Sequence, residues 1–341
     1  MSNINPDAAK TQTAPVDASG KKSHFKRFWW AYLLAFLVVA TVIIVPSVLL
    51  VAVPKIAQQK LNKAKLTIDG ISVTNTQTDS LVMAINSTIE ADDSVHATVD
   101  AFAGTLYLAD VDPPLAFAQI DFPQTTSSAT QAVNISQEIQ ISDQSALTAF
   151  NKALLSSMSV QVQVKGNTHI HVRGISRSYP VTFDKTVILK GLNNFDGISI
   201  LDPSISARSS TNNFNGTVYI PNPSVLTLDI GNTTFTNYFN GEEVGQTYIN
   251  NLILYPGNNT FFATADIKQL PIINALTQEP FCELKGKLPF QLSGKDVVNN
   301  GQVIPYFRDA LAASNQSITI DLSEAAKKLG LPTECIDLSS N

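Results

Sequence analysis

Four histidines stand in the chain, and two of them, His169 and His171, fall in the run THIHVRG. Residues two apart on a strand project from one face, so both imidazoles point the same way, with Arg173 next in the series. An H-x-H pair can give a metal two ligands. Here no third ligand is identifiable and a neighbouring guanidinium repels a cation, so the pair reads as a solvated polar strand face. In an acidic compartment both rings would charge beside Arg173, which makes the pair a candidate pH-responsive patch. Carboxylates are paired at Asp92 and Asp93, Asp110 and Asp112, and Glu242 and Glu243. Acid–base catalysis needs two carboxyls converging on one cleft. These pairs fall instead at turns and strand ends, where Asp and Glu are ordinary residues. The chain has no G-x-S-x-G elbow, no Walker loop, no G-x-G-x-x-G and no H-E-x-x-H. No catalytic residue, metal ligand or cofactor site is assigned, and the chain is read as a non-enzyme.

The remaining reactive residues are Cys282 and Cys335, the two cysteines of the chain. In an oxidising lumen a disulfide between them is the default, and it would staple the last segment, around SEAAKKLG, onto the preceding strands. Two separate buried thiols are the alternative. Six N-x-S/T triplets, at Asn86, Asn134, Asn215, Asn232, Asn258 and Asn315, are candidate glycosylation sites. Such triplets also arise by chance in a chain so rich in Asn, Ser and Thr. All six, like both cysteines, follow a long apolar run.

That run, FWWAYLLAFLVVATVIIVPSVLLVAV from Phe28 to Val53, carries no charge. As a helix it covers about 39 Å, more than the ~30 Å hydrocarbon core of a bilayer. Trp29, Trp30 and Tyr32 mark its N-terminal edge, where amphipathic rings favour the headgroup level. It is longer than a signal-peptide apolar region and lacks a small-residue cleavage site. Residues 28–53 are therefore read as a retained transmembrane helix whose partner is the lipid bilayer, with Pro46 breaking one backbone hydrogen bond inside it. Orientation is nearly balanced by charge, with Lys21, Lys22, Lys26 and Arg27 on one side and Lys55, Lys60, Lys63 and Lys65 on the other. The tighter tail cluster, the triplets and the cysteines favour a single-pass type II arrangement, N-terminus cytosolic and bulk luminal.

Residues 1–27 begin with a polar stretch nearly free of large apolar side chains and are read as a disordered cytosolic tail. Residues 54–65, KIAQQKLNKAK at their heart, read either as a helix on anionic headgroups or as a solvated basic stalk, the second being preferred. The charged fraction is 15% and the net charge −5, which offers no basic surface to nucleic acid. From Lys65 onward, short runs alternating apolar and polar recur, such as LTIDGISV from Leu66, LAFAQIDF from Leu115, SVQVQVKG from Ser159 and VLTLDIG from Val225. Turn residues such as Asp202-Pro203 and Pro256-Gly257 punctuate them, which is the pattern of antiparallel sandwiches. One clear helix is expected from Asp143 to Ser156, with Ala146, Leu147, Phe150, Leu154 and Leu155 in one stripe. AFNKALLSSMSVQVQV from Ala149 matches YFRDALAASNQSITIDL from Tyr306, and a looser match joins Ile71 to Ile205. The chain therefore reads as two tandem β-sandwiches, 66–191 and 197–341.

The stretch ALTAFNKALLSSMSVQVQVKGNTHIHVRGISRSYPVTFDKTVILKGLNNFDG, from Ala146, resembles a group of fungal single-span membrane proteins. So does the exit segment VPKIAQQKLNKAKLTIDGISVTN. Their luminal part looks like tandem late-embryogenesis-abundant group 2 domains. The resemblance implies a mainly β fold, one N-terminal transmembrane helix followed by two immunoglobulin-like β-sandwiches with short helices, and residence in the vacuolar or another endomembrane. Relatives are linked to autophagy control, phosphoinositide regulation and lipid binding, and the family brings no catalytic residues. The functional expectation is a membrane-anchored luminal binding or scaffold protein, with a lipid ligand or a luminal protein as partner. The alternatives are a regulator acting through the cytosolic tail and a glycan-active hydrolase.

Overall fold

The structure is a computed structural model that describes residues 20–91, 96–206 and 211–335. Most of the expected tail, residues 1–19, and the pair Asp92 and Asp93 lie outside the described residues. The chain divides into two compact units, one up to Ile56 and one from Ala57 onward.

In the first unit, helix α1 (Gly20–Ser47) starts eight residues before the apolar run, so residues 20–27 of the expected disordered tail are helical. The helix is interrupted at Phe28 (φ −123°, ψ 16°). Helix propagation needs only one bond per added residue, so a nucleated apolar helix extends readily into its polar flank. Pro46 lies inside α1, and a π-helical turn follows at Val48–Ala52. The helical stretch from Phe28 to Lys63 is, among the described residues, the one long and apolar enough to cross a membrane. Leu33, Phe36, Ile43 and Val51 are each more than half exposed, unlike the stripe of a soluble core helix.

Helix α2 (Val53–Lys63) runs through the expected stalk. From Ala57 onward it is docked rather than free. Ala57 packs with Ile170 and Val181, and Leu61 joins them. The Gln58 side chain bonds both main-chain groups of Thr182, donating to its carbonyl at 2.8 Å and accepting from its N–H at 2.9 Å. Lys185 Nζ donates to the carbonyls of Asn62 and Ala64, satisfying acceptors that a helix end leaves open. The apolar pair Ala57 and Leu61, four apart, is the stripe that a reading of this stretch as solvated passes over.

The second unit is mainly β. Its first half holds β1 (Lys65–Thr74), β2 (Ser80–Glu90), β3 (Ala97–Val99), β4 (Phe102–Leu108), β5 (Leu115–Phe122), β6 (Thr125–Thr126) and β7 (Thr130–Gln140). Helix α3 (Gln144–Ser156), β8 (Ser159–Val172) and β9 (Ser178–Lys190) follow. Its second half holds β10 (Ser199–Ile205), β11 (Phe214–Asn222), β12 (Leu226–Phe239), β13 (Glu242–Leu254), β14 (Gly257–Ile267) and α4 (Gln269–Thr277). Then come β15 (Lys287–Asn299), β16 (Gln302–Val303), α5 (Pro305–Ala312), β17 (Gln316–Asp321) and α6 (Ser323–Lys328). The runs SVQVQVKG and THIHVRG, separate in the sequence reading, form one long strand, β8.

Strand pairing relates the halves. In the first, β1 pairs β2, β2 pairs β7, β4 pairs β5 and β8, and β8 pairs β9, all antiparallel. In the second, β10 pairs β11, β11 pairs β14, β12 pairs β13 and β15, and β15 pairs β17, again antiparallel. This order makes α4 and β15 the counterparts of α3 and β8. The sequence match of Ala149 with Tyr306 is therefore displaced: it equates α3 with α5, which lies between β15 and β17. Both helices present Phe, Ala and Leu at one face because they pack on each other within a single core, so shared burial rather than shared ancestry of position explains their likeness.

The stretches 66–191 and 197–341 share a sheet and a core. β1 pairs in parallel with β12, Ile71 opposite Leu226 and Val73 opposite Leu228. One apolar cluster runs from Leu81 and Val162 through Phe150 to Leu228 and Phe307. A buried polar knot lies beside it. Thr76 Oγ1 donates to the Asp229 carbonyl at 2.9 Å, Asn299 Nδ2 donates to Thr76 Oγ1 at 2.8 Å, and the Tyr306 hydroxyl donates to the Gln77 carbonyl at 3.0 Å. Burial pushes the Tyr306 phenol far above its ordinary pKa.

Candidate ligand cavity

Strand β14 ends at Ile267 and the chain turns at once into α4, whose Ile272, Ala275 and Leu276 are buried. The turn is held by Asn213, which accepts from Ile267 N–H at 2.9 Å and donates to its carbonyl at 2.8 Å. Under α4 the sheet supplies apolar side chains from several strands, among them Ile205, Phe214, Phe290 and Ile320. α4 has 9 residues and its counterpart α3 has 13, and the space between α4 and the sheet is not filled. It is a cavity of about 170 Å³, partly open to the surface, with Leu329 and Leu331 closing another side. A volume of this size compares with dry apolar cavities of ~150 Å³ that take up benzene-sized molecules.

The wall carrying Leu329 and Leu331 is fastened by chemistry identified in the sequence. Cys282 and Cys335 are joined as a disulfide, with Cα atoms 4.9 Å apart. Cys282 lies in the 3₁₀ turn that follows α4. The bond thus ties the turn after the cavity's helix to the segment after α6. Among the described residues, polar groups line the cavity at four places, Asn213, Asn237, Thr247 and Gln269, and no ionisable side chain does. The sequence patterns that find strands give no sign of this cavity, since an apolar residue facing a void alternates just as one facing a core does.

The other candidate residues lie elsewhere. His169 and His171 are exposed on β8, and His171 Nε2 stands 2.9 Å from Asp100 Oδ2. That hydrogen bond holds the Asp100 carboxyl below its usual range. The imidazole thus faces a carboxylate that the sequence reading, which set it beside Arg173, did not bring to it. Asp110 accepts from Gln161 N–H at 2.7 Å, bracing the turn between β4 and β5. Glu242 and Glu243 are exposed at the β12–β13 hairpin, and Glu242 pairs with Phe239 in the ladder. The described carboxylate pairs therefore do not meet over one cleft. Among the described residues no group of three or more His, Cys, Asp or Glu is placed to hold a metal.

Of the glycosylation triplets, Asn86, Asn134, Asn232, Asn258 and Asn315 are exposed and Asn215 is half-buried. Asn86 and Asn134 sit directly opposite each other on β2 and β7. Asn232 Oδ1 accepts from Asn251 N–H, and Asn258 Oδ1 accepts from the Tyr219 hydroxyl.

The sequence matches a family described as a protein of unknown function (DUF3712) over residues 115–237, from β5 almost to the end of β12. No curated protein matches it. Among solved structures, a late embryogenesis abundant (LEA) protein is 14% identical, with 54% of this chain and 98% of that one covered and a TM-score of 0.25. Red sea bream transglutaminase is 11% identical, with 79% of this chain and 33% of that one covered and a TM-score of 0.25. A bacterial adhesin from Mobiluncus mulieris is 10% identical, with 76% and 96% covered and a TM-score of 0.21. Overlap at this level carries no functional argument.

Proposed function

We propose that this protein is a non-enzymatic, membrane-anchored binding protein that holds an apolar ligand, a lipid segment, in the cavity beneath α4. The observation that carries this reading is the cavity itself: a space of about 170 Å³ with mainly apolar walls and, among the described residues, no ionisable side chain in them. Filling such a space with hydrocarbon removes apolar surface from water at about 25 cal/mol per Å². The charge-free helix from Phe28 supports the anchor, and its proposed orientation is type II, with the β-rich unit in the lumen of the vacuole or another endomembrane compartment. An oxidising lumen accords with the Cys282–Cys335 bond. The exposed triplets are proposed as glycan sites on the same grounds.

The test is photolabelling of the full chain in lipid nanodiscs with a diazirine-bearing acyl probe, followed by peptide mapping. Labelling is expected on α4 and on residues 329–331, and Ile273→Trp, which pushes an indole into the cavity from α4, should abolish it. Labelling confined to the apolar helix from Phe28, with none on α4, overturns the reading. Orientation is checked separately by glycosidase treatment of the protein from a eukaryotic host, where a mobility shift is expected and its absence counts against a luminal unit.

A further inference from the structure

Resting on that reading, we infer that the cavity selects an uncharged lipid whose buried end carries one hydroxyl, bound by Asn237 and Thr247. The inward row of β12 reads Phe235, Asn237, Phe239, all at most 7% exposed. An asparagine between two phenylalanines is out of pattern there, because burying an amide costs free energy unless its bonds are met. Other buried asparagines of this half have a structural reason. Asn213 clamps the main chain of Ile267, Asn222 bonds Leu226 O and Ser224 N, and Asn259 bonds the main chain at Tyr255 and Gly257. Asn237 holds no main chain. Its Nδ2 donates to Thr247 Oγ1 at 2.9 Å and its Oδ1 accepts from the same hydroxyl at 3.0 Å, and both residues line the cavity.

The donor and acceptor count fits one particular group. A primary amide offers two N–H donors and two acceptor lone pairs, and a hydroxyl offers one donor and two lone pairs. The mutual bonds leave one N–H and one lone pair on Asn237 and one lone pair on Thr247. A ligand hydroxyl, donor and acceptor at once, can meet either kind of free group, accepting from the N–H or donating to a lone pair. A carbonyl completes only the donor, and a saturated hydrocarbon end completes neither. Among the described lining residues there is no Lys or Arg to pair with a carboxylate or phosphate, and an unpaired buried charge is strongly disfavoured. Sterols and long-chain alcohols share the required chemistry.

The experiment uses the full chain in nanodiscs and the labelling of α4 as its site-specific readout. Unlabelled decanol, decane, decanoate and a sterol compete with the acyl probe. Decanol is expected to compete about tenfold better than decane, the size of one well-made hydrogen bond, and decanoate worse than either. Asn237→Leu, close in volume, should erase the tenfold preference, and Thr247→Val, nearly isosteric, should do the same if the first variant folds poorly. The sterol arm distinguishes a rigid ring ligand from a flexible chain. Equal competition by decanol and decane, or a preference that survives both substitutions, overturns this inference while leaving apolar binding intact. Loss of all α4 labelling in the unmodified chain overturns the binding reading and this inference with it.

Discussion

The two halves of the β-rich unit are built on one plan and finished differently. Each runs two strands, an inserted hairpin, a third strand, a helix and two more strands, with the same five antiparallel pairings. In the first half β5 and β7 form no ladder, so the strands separate into two layers that close over a shared core. Phe117 and Phe150 stack there with centroids 4.2 Å apart, and α3 buries six residues. In the second half β13 pairs with β14, Gly245 opposite Ile267. The strands therefore run on as one sheet, and a void lies beneath the shorter helix. Gly245, at φ +148°, sits where a Cβ would meet the Asp266 carbonyl at 1.9 Å, so this pairing depends on a residue without one. The halves thus differ in whether the third strand joins the inserted hairpin, and the cavity lies in the half where it does.

The largest way to break the comparison is to hollow out the filled half. Phe150→Ala is expected to cost about 3–5 kcal/mol by chemical denaturation, because it deletes a stacked ring from a tight core. Ile272→Ala, beside a void that already exists, should cost less than Phe150→Ala, and equal losses would show that the halves are packed alike. Next in size is the fastening peculiar to the second half. Replacing Cys282 and Cys335 by Ser releases a 53-residue separation, worth about 4 kcal/mol as an upper figure from loop entropy. Hydrogen exchange should rise in α4 and residues 323–331 and stay unchanged in β8 and β9. Uniform exchange increases would mean that the bond stabilises the whole unit rather than one half.

A smaller change sharpens the link between halves. Tyr306→Phe removes the hydroxyl that α5 donates to the Gln77 carbonyl and should cost about 1–2 kcal/mol, since a buried acceptor loses its partner. The smallest concerns the helix starts. Asp143 caps α3 by accepting from Ser145 and Ala146 N–H, whereas no side chain caps α4. Asp143→Ala should lower the melting temperature by about 2 °C. The bond from Ala146 N–H holds the Asp143 carboxyl below its usual range. Its contribution is then whole above the unfolded value near 3.9 and is lost as pH falls through the lower folded value. The wild-type minus variant difference should accordingly shrink at strongly acidic pH, and a difference that stays constant there would show that the charge of Asp143 contributes nothing to the cap.

Much of the frame was legible in the sequence because alternation is local. LAFAQIDF is β5 to the residue, and the Ala146, Leu147, Phe150, Leu154, Leu155 stripe is α3. Strand pairing is not local, so the parallel contact of β1 with β12 and the true counterpart of α3 left no mark in any window of residues. The repeat was misaligned for a related reason: α3 and α5 are alike because they face the same core. The cavity was least legible, since Ile272 or Phe290 would read identically against a void or a neighbour. Asn237 disagrees in type with the phenylalanines of its row, and that disagreement becomes informative only once the void beside it is known.

The position of the Cys282–Cys335 bond also sets an order of events. Leu329 and Leu331 are made after every strand of the sheet, and they enter the wall only when the segment behind them is fixed. Without them the cavity is a groove, with α4 over one side and the other side open. Under the proposed reading, a cut between Leu322 and Leu329 would leave the wall residues held through the Cys282–Cys335 bond, and reduction of that bond as well would release them while leaving the sheets in place.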